Sequence, residues 1–214
     1  DGSNLVATWE DKSGLHRDAA QSNGTEKPTY ISNGINGFPC IDFNGSDNMM
    51  YIGSATNNAD EDDFEAQYVA YFVVTQFDDA DDGHIIGVGS STDGYLESYG
   101  QGMYTESGKF GIKSISSTGI TLKSSDTFND EDLFILVGII KSNGSLPKLQ
   151  APIGAADGTN DGSPVDFFSG KIGEIIVFTS SGTSGGLTEA QIRSVEKYLA
   201  TKWGHKANYR DESD

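Results

Sequence analysis

Tyr68-Val69-Ala70-Tyr71-Phe72-Val73-Val74 and Leu133-Phe134-Ile135-Leu136-Val137-Gly138-Ile139-Ile140 decide the fold class. Both stretches are almost continuously apolar, which marks strands covered on both faces, and we place them in the middle of a sandwich. Working outward, further strand-like stretches run from Cys40 to Phe43, Met49 to Ile52, Gln67 to Phe77, His84 to Gly89, Tyr95 to Tyr99, Lys109 to Ile115, Leu133 to Lys141 and Lys171 to Phe178. Asn-Gly pairs at Asn23, Asn33, Asn36, Asn44 and Asn143 punctuate them, and their tolerance of positive φ suits tight turns between antiparallel strands. The class this predicts is all-β.

Composition supports that class. The chain has 214 residues, within the range in which a sandwich folds as one domain, and 36% hydrophobic residues are enough to fill a core between two sheets. Its 27 glycines, with many Asn, Asp and Ser, favour short strands and turns over long helices. No run approaches the roughly 20 apolar residues of a membrane span, so no membrane insertion is expected. The opening Asp1-Gly2-Ser3-Asn4 lacks the build of a signal peptide, and a mature or excised chain is the expectation.

With 32 acidic against 14 basic residues the formal charge is −18, which repels phosphate backbones and makes nucleic acid an unsuitable partner. The same excess suits a salty exterior, or loops whose carboxylates hold a hard cation such as Ca²⁺. Cys40 is the single cysteine, so no internal disulfide forms, and Phe38-Pro39-Cys40-Ile41 reads as the setting of a small buried hydrophobe.

One segment reads as helix. Thr188 with Gln191 forms a capping-box pattern, Ile192, Val195, Leu199 and Trp203 follow at helical spacing, and Gly204 offers a stop. The apolar stripe should dock on the sandwich. We therefore expect one domain over residues 1–204, with His205 to Asp214 as a polar tail or linker.

Three blocks carry a family resemblance: Trp9-Glu10-Asp11-Lys12-Ser13-Gly14, then Pro28-Thr29-Tyr30, then Gly34-Ile35-Asn36-Gly37-Phe38-Pro39-Cys40-Ile41-Asp42-Phe43-Asn44-Gly45. The closing block adds Phe168-Ser169-Gly170-Lys171-Ile172-Gly173-Glu174-Ile175-Ile176-Val177-Phe178, Leu187-Thr188 and Tyr198-Leu199-Ala200-Thr201-Lys202-Trp203-Gly204. Their order resembles laminin-G-like domains of the concanavalin A-like lectin/glucanase superfamily, over residues 5 to 204. The resemblance implies a two-sheet antiparallel jelly-roll sandwich closed by a short C-terminal helix. On function it says little, because its members include sugar-binding modules, adhesion domains, glycosidases and structural spacers. Trp9 and Trp203 read as packing residues rather than ligand platforms.

Glucanases of that superfamily use acidic residues alternating on one strand, with carboxyl groups about 5 Å apart. Glu61-Asp62-Asp63-Phe64-Glu65 matches in spacing, but Asp62 extends the acidic loop Asp60 to Asp63 ahead of the strand, where carboxylates are solvated rather than held in a cleft. His16, His84 and His205 lie far apart in sequence and read as surface residues, and no nucleophile-elbow, zinc-protease or phosphate-loop pattern occurs. The expectation is a protein that is not an enzyme.

Two acidic clusters look like oxygen-donor loops, Asp78-Asp79-Ala80-Asp81-Asp82-Gly83 and Asp157-Gly158-Thr159-Asn160-Asp161-Gly162. Asp78, Asp81, Asp82, Asp157, Asn160 and Asp161 are the candidate Ca²⁺ ligands; the alternative is acidic hairpin loops of a salt-adapted chain. For sugar recognition, which pairs an aromatic face with amide, carboxylate or hydroxyl groups, the richest stretch carries Asp93, Tyr95, Glu97, Tyr99, Gln101 and Tyr104. Tyr95, Glu97 and Tyr99 would share one strand face, pointing outward to a ligand or inward to the core.

The first function class is thus a non-catalytic carbohydrate-binding or adhesion module of a secreted, cell-surface or virion-surface protein, its partners a glycan or surface polysaccharide and other modules of its chain or assembly. The second is a structural or interaction domain of a larger surface assembly without a small ligand. The third, a glycosidase, requires Glu61 and Glu65 on one strand in a cleft. If either acidic loop binds calcium, millimolar Ca²⁺ raises the melting midpoint above its value in EDTA, because a ligand of the native state stabilises by mass action. Asp82→Ala or Asp161→Ala then abolishes the shift; identical midpoints with and without Ca²⁺ remove calcium from the account.

Overall fold

The computed structural model describes residues 4–52, 68–78, 83–88, 100–106, 108–115, 120–123, 132–141, 151–155, 166–180 and 185–205. In chain order the strands are β1 Thr8–Trp9, β2 Ala19–Ala20, β3 Thr29–Ile31, β4 Cys40–Asn44, β5 Met50–Ile52, β6 Tyr68–Phe77 and β7 Gly83–Val88. There follow β8 Gly100–Glu106, β9 Lys109–Ile115, β10 Ile120–Lys123, β11 Leu133–Lys141, β12 Ala151–Ile153 and β13 Ser169–Ser180, then the helix α1 Glu189–Trp203. They form an eight-stranded sheet, β1-β2-β5-β12-β7-β8-β9-β10, and a five-stranded sheet, β11-β6-β13-β4-β3, all paired antiparallel. The expected two-sheet sandwich with one C-terminal helix is what the chain adopts.

Strand β6 explains the layering. Its residues from Tyr68 to Val74 are each at most 1% exposed, and they divide by parity between two apolar clusters. Val69, Tyr71 and Val73 join Phe43, Met50, Ile85, Ile86, Met103 and Ile172 between the sheets. Tyr68, Ala70, Phe72 and Val74 join Leu199 and Trp203 on the other face, under the helix. A strand apolar on both sides needs a layer on each side, so the helix is required to complete the core. With no partner for its hydroxyl, fully buried Tyr71 has its phenol pKa pushed upward by desolvation.

Strand β11 departs from expectation. It shows the two-faced apolar pattern, with Leu133, Ile135 and Val137 toward the helix and Phe134, Leu136 and Ile140 toward the inter-sheet core. Yet it lies at the edge of its sheet, pairing with β6 alone among the described residues, and Ile139 is 38% exposed. Apolar continuity reports which faces are covered; it does not report how many neighbours a strand has. Strands β8 and β10, and the two- and three-residue strands β1, β2, β3 and β12, were not anticipated.

The helix forms as its signals predict. Thr188 Oγ1 accepts from the Gln191 amide at 3.3 Å while Gln191 Oε1 accepts from the Thr188 amide at 2.8 Å, and Gly204, at φ 70°, closes the C-terminus. The N-terminal half of the chain then fastens the helix end: Asn36 Nδ2 donates to the Trp203 carbonyl at 2.7 Å, and the Phe38 and Trp203 rings lie 5.4 Å apart. From below, Glu174 accepts from Trp203 Nε1 at 2.8 Å, Lys202 Nζ at 3.0 Å and the Tyr198 hydroxyl at 3.0 Å. Trp203 is therefore a packing residue, as expected. Cys40 is 3% exposed, and burial pushes its thiol pKa up, away from the reactive thiolate.

The Trp203 indole lies on the backbone of Gly173, where β13 shifts register between Ile172 and Glu174, and a Cβ at 173 would collide with the ring. Gly173→Ala should cost about 1–3 kcal/mol through overpacking. Urea unfolding would show this as a lower midpoint with an unchanged slope; an unaltered midpoint would mean the indole has room to move.

Candidate functional site

Pairing of β13 sets up the site. The strand pairs with β6 through Ser180 but with β4 only over Ser169–Ile172. Pro39 precedes β4 and has no N–H to continue the ladder, and the chain before it turns away to cap the helix. Among the described residues, no strand occupies the second edge of β13 from Gly173 to Thr179. That gap is a slot of about 480 Å³ between the two sheets, inside the range typical of small-molecule sites. Successive residues from Gly173 to Val177 line it although their side chains alternate between faces, so the slot meets the strand at its backbone edge.

The floor is aliphatic, formed by Ala19, Ile52 and Ile153 of the larger sheet with Ile175 and Val177 of the smaller. The opposite wall is Trp9 at the end of β1 and the loop that follows, which brings in Glu10, Asp11, Lys12, Ser13, Leu15 and Arg17. Trp9 is half-buried: it packs against the inter-sheet core and also lines the slot, which the packing expectation alone did not foresee.

Asp11 builds that loop. Its carboxylate accepts from the Ser13 amide at 2.8 Å, the Ser13 hydroxyl at 2.7 Å and the Arg17 amide at 3.1 Å, while its own amide donates to Asp18 Oδ1 at 2.8 Å. Gly14 at φ 85° and His16 at φ 58° complete the reversal. The hydrogen bond from the Ser13 hydroxyl, followed by that from the Ser13 amide, holds the Asp11 carboxyl below its ordinary pKa. In Trp-x-Asp-x-Ser-Gly the Asp and Ser are thus loop-forming residues, and they give the slot a fixed wall.

The residues singled out earlier fare differently. Asp93, Tyr95, Glu97 and Tyr99 lie outside the described residues, as do Asp81, Asp82, Asp157, Asn160, Asp161, Glu61 and Glu65. Gln101 lies on β8. Tyr104, also on β8, is 7% exposed; its ring covers the backbone of Gly111 and stacks on His84 with centroids 5.8 Å apart, so it is a packing residue rather than an open platform. His84 is likewise no surface histidine: its side chain is 13% exposed, and Nδ1 lies 3.9 Å from Asp166. Asp78 Oδ1 is ion-paired to Lys171 Nζ at 2.8 Å. Among the described residues, no group of three or more His, Cys, Asp or Glu is placed to hold a metal ion.

No family model matches the sequence, and no curated protein is significantly similar to it. Among solved structures, the Trypanosoma rangeli sialidase superposes with a TM-score of 0.55 at 13% identity, over 94% of this chain and 32% of that chain. A mutant NanB sialidase from Streptococcus pneumoniae gives 0.51 at 12% identity, over 72% of this chain and 26% of that one. The chain thus spans about a third or less of those proteins. What the likeness establishes is the fold, a two-sheet antiparallel β-sandwich.

Because the folded Asp11 pKa is lowered, its contribution to loop order is present above the unfolded value of about 3.9 and is lost as pH falls through the folded value. NMR should show the Ser13 and Arg17 amides losing protection below about pH 4, with Asp11→Ala abolishing their protection at every pH. Amides indifferent to both changes would mean that Asp11 does not organise the loop.

Proposed function

We propose that the chain is a non-catalytic carbohydrate-binding module, laminin-G-like in kind, of a secreted, cell-surface or virion-surface protein, and that the slot beside β13 is where the glycan sits. The observation that carries this reading is the slot's chemistry: an aliphatic floor and the half-buried Trp9 ring for the C–H face of a sugar, beside the Thr179 hydroxyl and a backbone edge for its OH groups. Calcium binding at the two acidic loops belongs to the same proposal and rests on their sequence alone.

The structural-module reading is favoured by a separate observation, the burial of Tyr104, since one of the tyrosines offered as a platform is spent on packing. An oligosaccharide array followed by calorimetry decides between the two. The wild-type chain should bind, and Trp9→Ala should weaken binding about tenfold or more, equivalent to ~1.4 kcal/mol, while circular dichroism shows the sandwich intact. A folded chain that binds no saccharide sinks the glycan reading and leaves the structural module.

A further inference from the structure

Among the described residues that line the slot, the charges cancel. Glu10, Asp11 and Glu174 face Lys12, Arg17 and Lys202, on a chain whose formal charge is −18. Four of them form ion pairs with one another. Lys12 pairs with Glu10, and Lys202 pairs with Glu174 at 3.0 Å. The Glu174 oxygens accept further from Tyr198 and Trp203, and both Asp11 oxygens are filled by Ser13 and Arg17 donors. Arg17 approaches Asp11 through its backbone amide, and its charge adds the smallest of the contributions that favour the ionised carboxylate.

These pairs differ in strength. Lys12 and Glu10 have side chains 81% and 69% exposed, so solvent screens them and their pair is weak. Lys202 and Glu174 are 39% and 20% exposed, and pulling Lys202 toward an outside anion would strip Glu174 of a partner in the network that holds the helix. An anionic sugar entering here would have to draw Lys12 from Glu10 or Lys202 from Glu174, and would approach through the field of an acidic molecule.

What the slot does offer is neutral. In an antiparallel strand alternate residues turn both N–H and C=O to the same side, so the edge of β13 from Gly173 to Thr179, on which no strand pairs among the described residues, presents donor–acceptor pairs about 6.8 Å apart. A sugar hydroxyl is donor and acceptor at once and can answer such a pair without any charge. Thr179 adds a further hydroxyl of the same kind, whereas the Ser13 hydroxyl already donates to Asp11 and accepts from the Leu15 amide.

We infer that the slot takes an uncharged oligosaccharide, bound by apolar contact and neutral hydrogen bonds, and not an acidic sugar. This rests on the glycan reading above and narrows it to a ligand class. The test is calorimetry and array binding of the whole chain against neutral hexose oligosaccharides and against the same backbones carrying sialic acid, uronic acid or sulfate, at about 50 and 500 mM NaCl, salts chosen to vary screening. Neutral glycans should bind, with affinities that change less than about twofold between the two salts, and each acidic substituent should weaken binding. Binding confined to acidic glycans, with affinity falling as salt rises, overturns the inference and leaves the glycan reading standing. Neutral binding that Trp9→Ala does not weaken places the ligand elsewhere and overturns the slot assignment. A folded chain that binds neither class overturns both the inference and the glycan reading.

Discussion

The molecule depends on one strand having no polar face. Along β6, from Tyr68 to Val74, no side chain is more than 1% exposed, so neither surface of the five-stranded sheet can meet water beside it. One surface is covered by the eight-stranded sheet and the other by α1, whose Leu199 and Trp203 are themselves almost fully buried. Each such side chain withdrawn from water contributes on the order of 1.5–3 kcal/mol. A short amphipathic helix has little stability of its own, and here it gains it by packing on β6.

Fixing the helix there has consequences at a distance. The Asn36 contact to the Trp203 carbonyl requires the chain before β4 to leave the sheet, and Pro39 stops the ladder at the same place. Strand β13 therefore runs on past its neighbour, with Gly173 shaped to accept the indole and Glu174 turned to bind it. The slot is the space left by that early ending. One set of contacts thus closes the core on one side of the sheet and opens a recess on its edge.

These features were not equally legible. The capping box at Thr188 and Gln191, the stripe through Trp203 and the stop at Gly204 are local signals, and each appears in the structure where the spacing put it. The double apolar faces of β6 and β11 were equally plain, but the edge position of β11 was not, because strand order depends on pairing partners far away in sequence. Strands of two or three residues such as β1 and β12 are too short to show a period, and β8 hides behind Gly100 and Gly102, residues poor in strand propensity. At the site, Trp-x-Asp-x-Ser-Gly was visible as a motif, and its Asp-to-Ser spacing is that of a turn whose side chain accepts from the backbone two residues on. The slot itself was not visible, since it is created by Pro39, Asn36 and Gly173 acting together across some 130 residues of intervening sequence.

Charge separates the recess from its surroundings. An excess of acid keeps such a domain soluble and repels polyanions over most of its surface. Around the slot, however, three acids meet three bases, and the acids are engaged by hydroxyls, amides and ring N–H groups as well as by cations. A site whose acids and bases balance leaves chiefly backbone, hydroxyl and apolar surface for a ligand. For the proposed glycan site, a wall already ordered by Asp11 would lose little further conformational freedom when a ligand arrives.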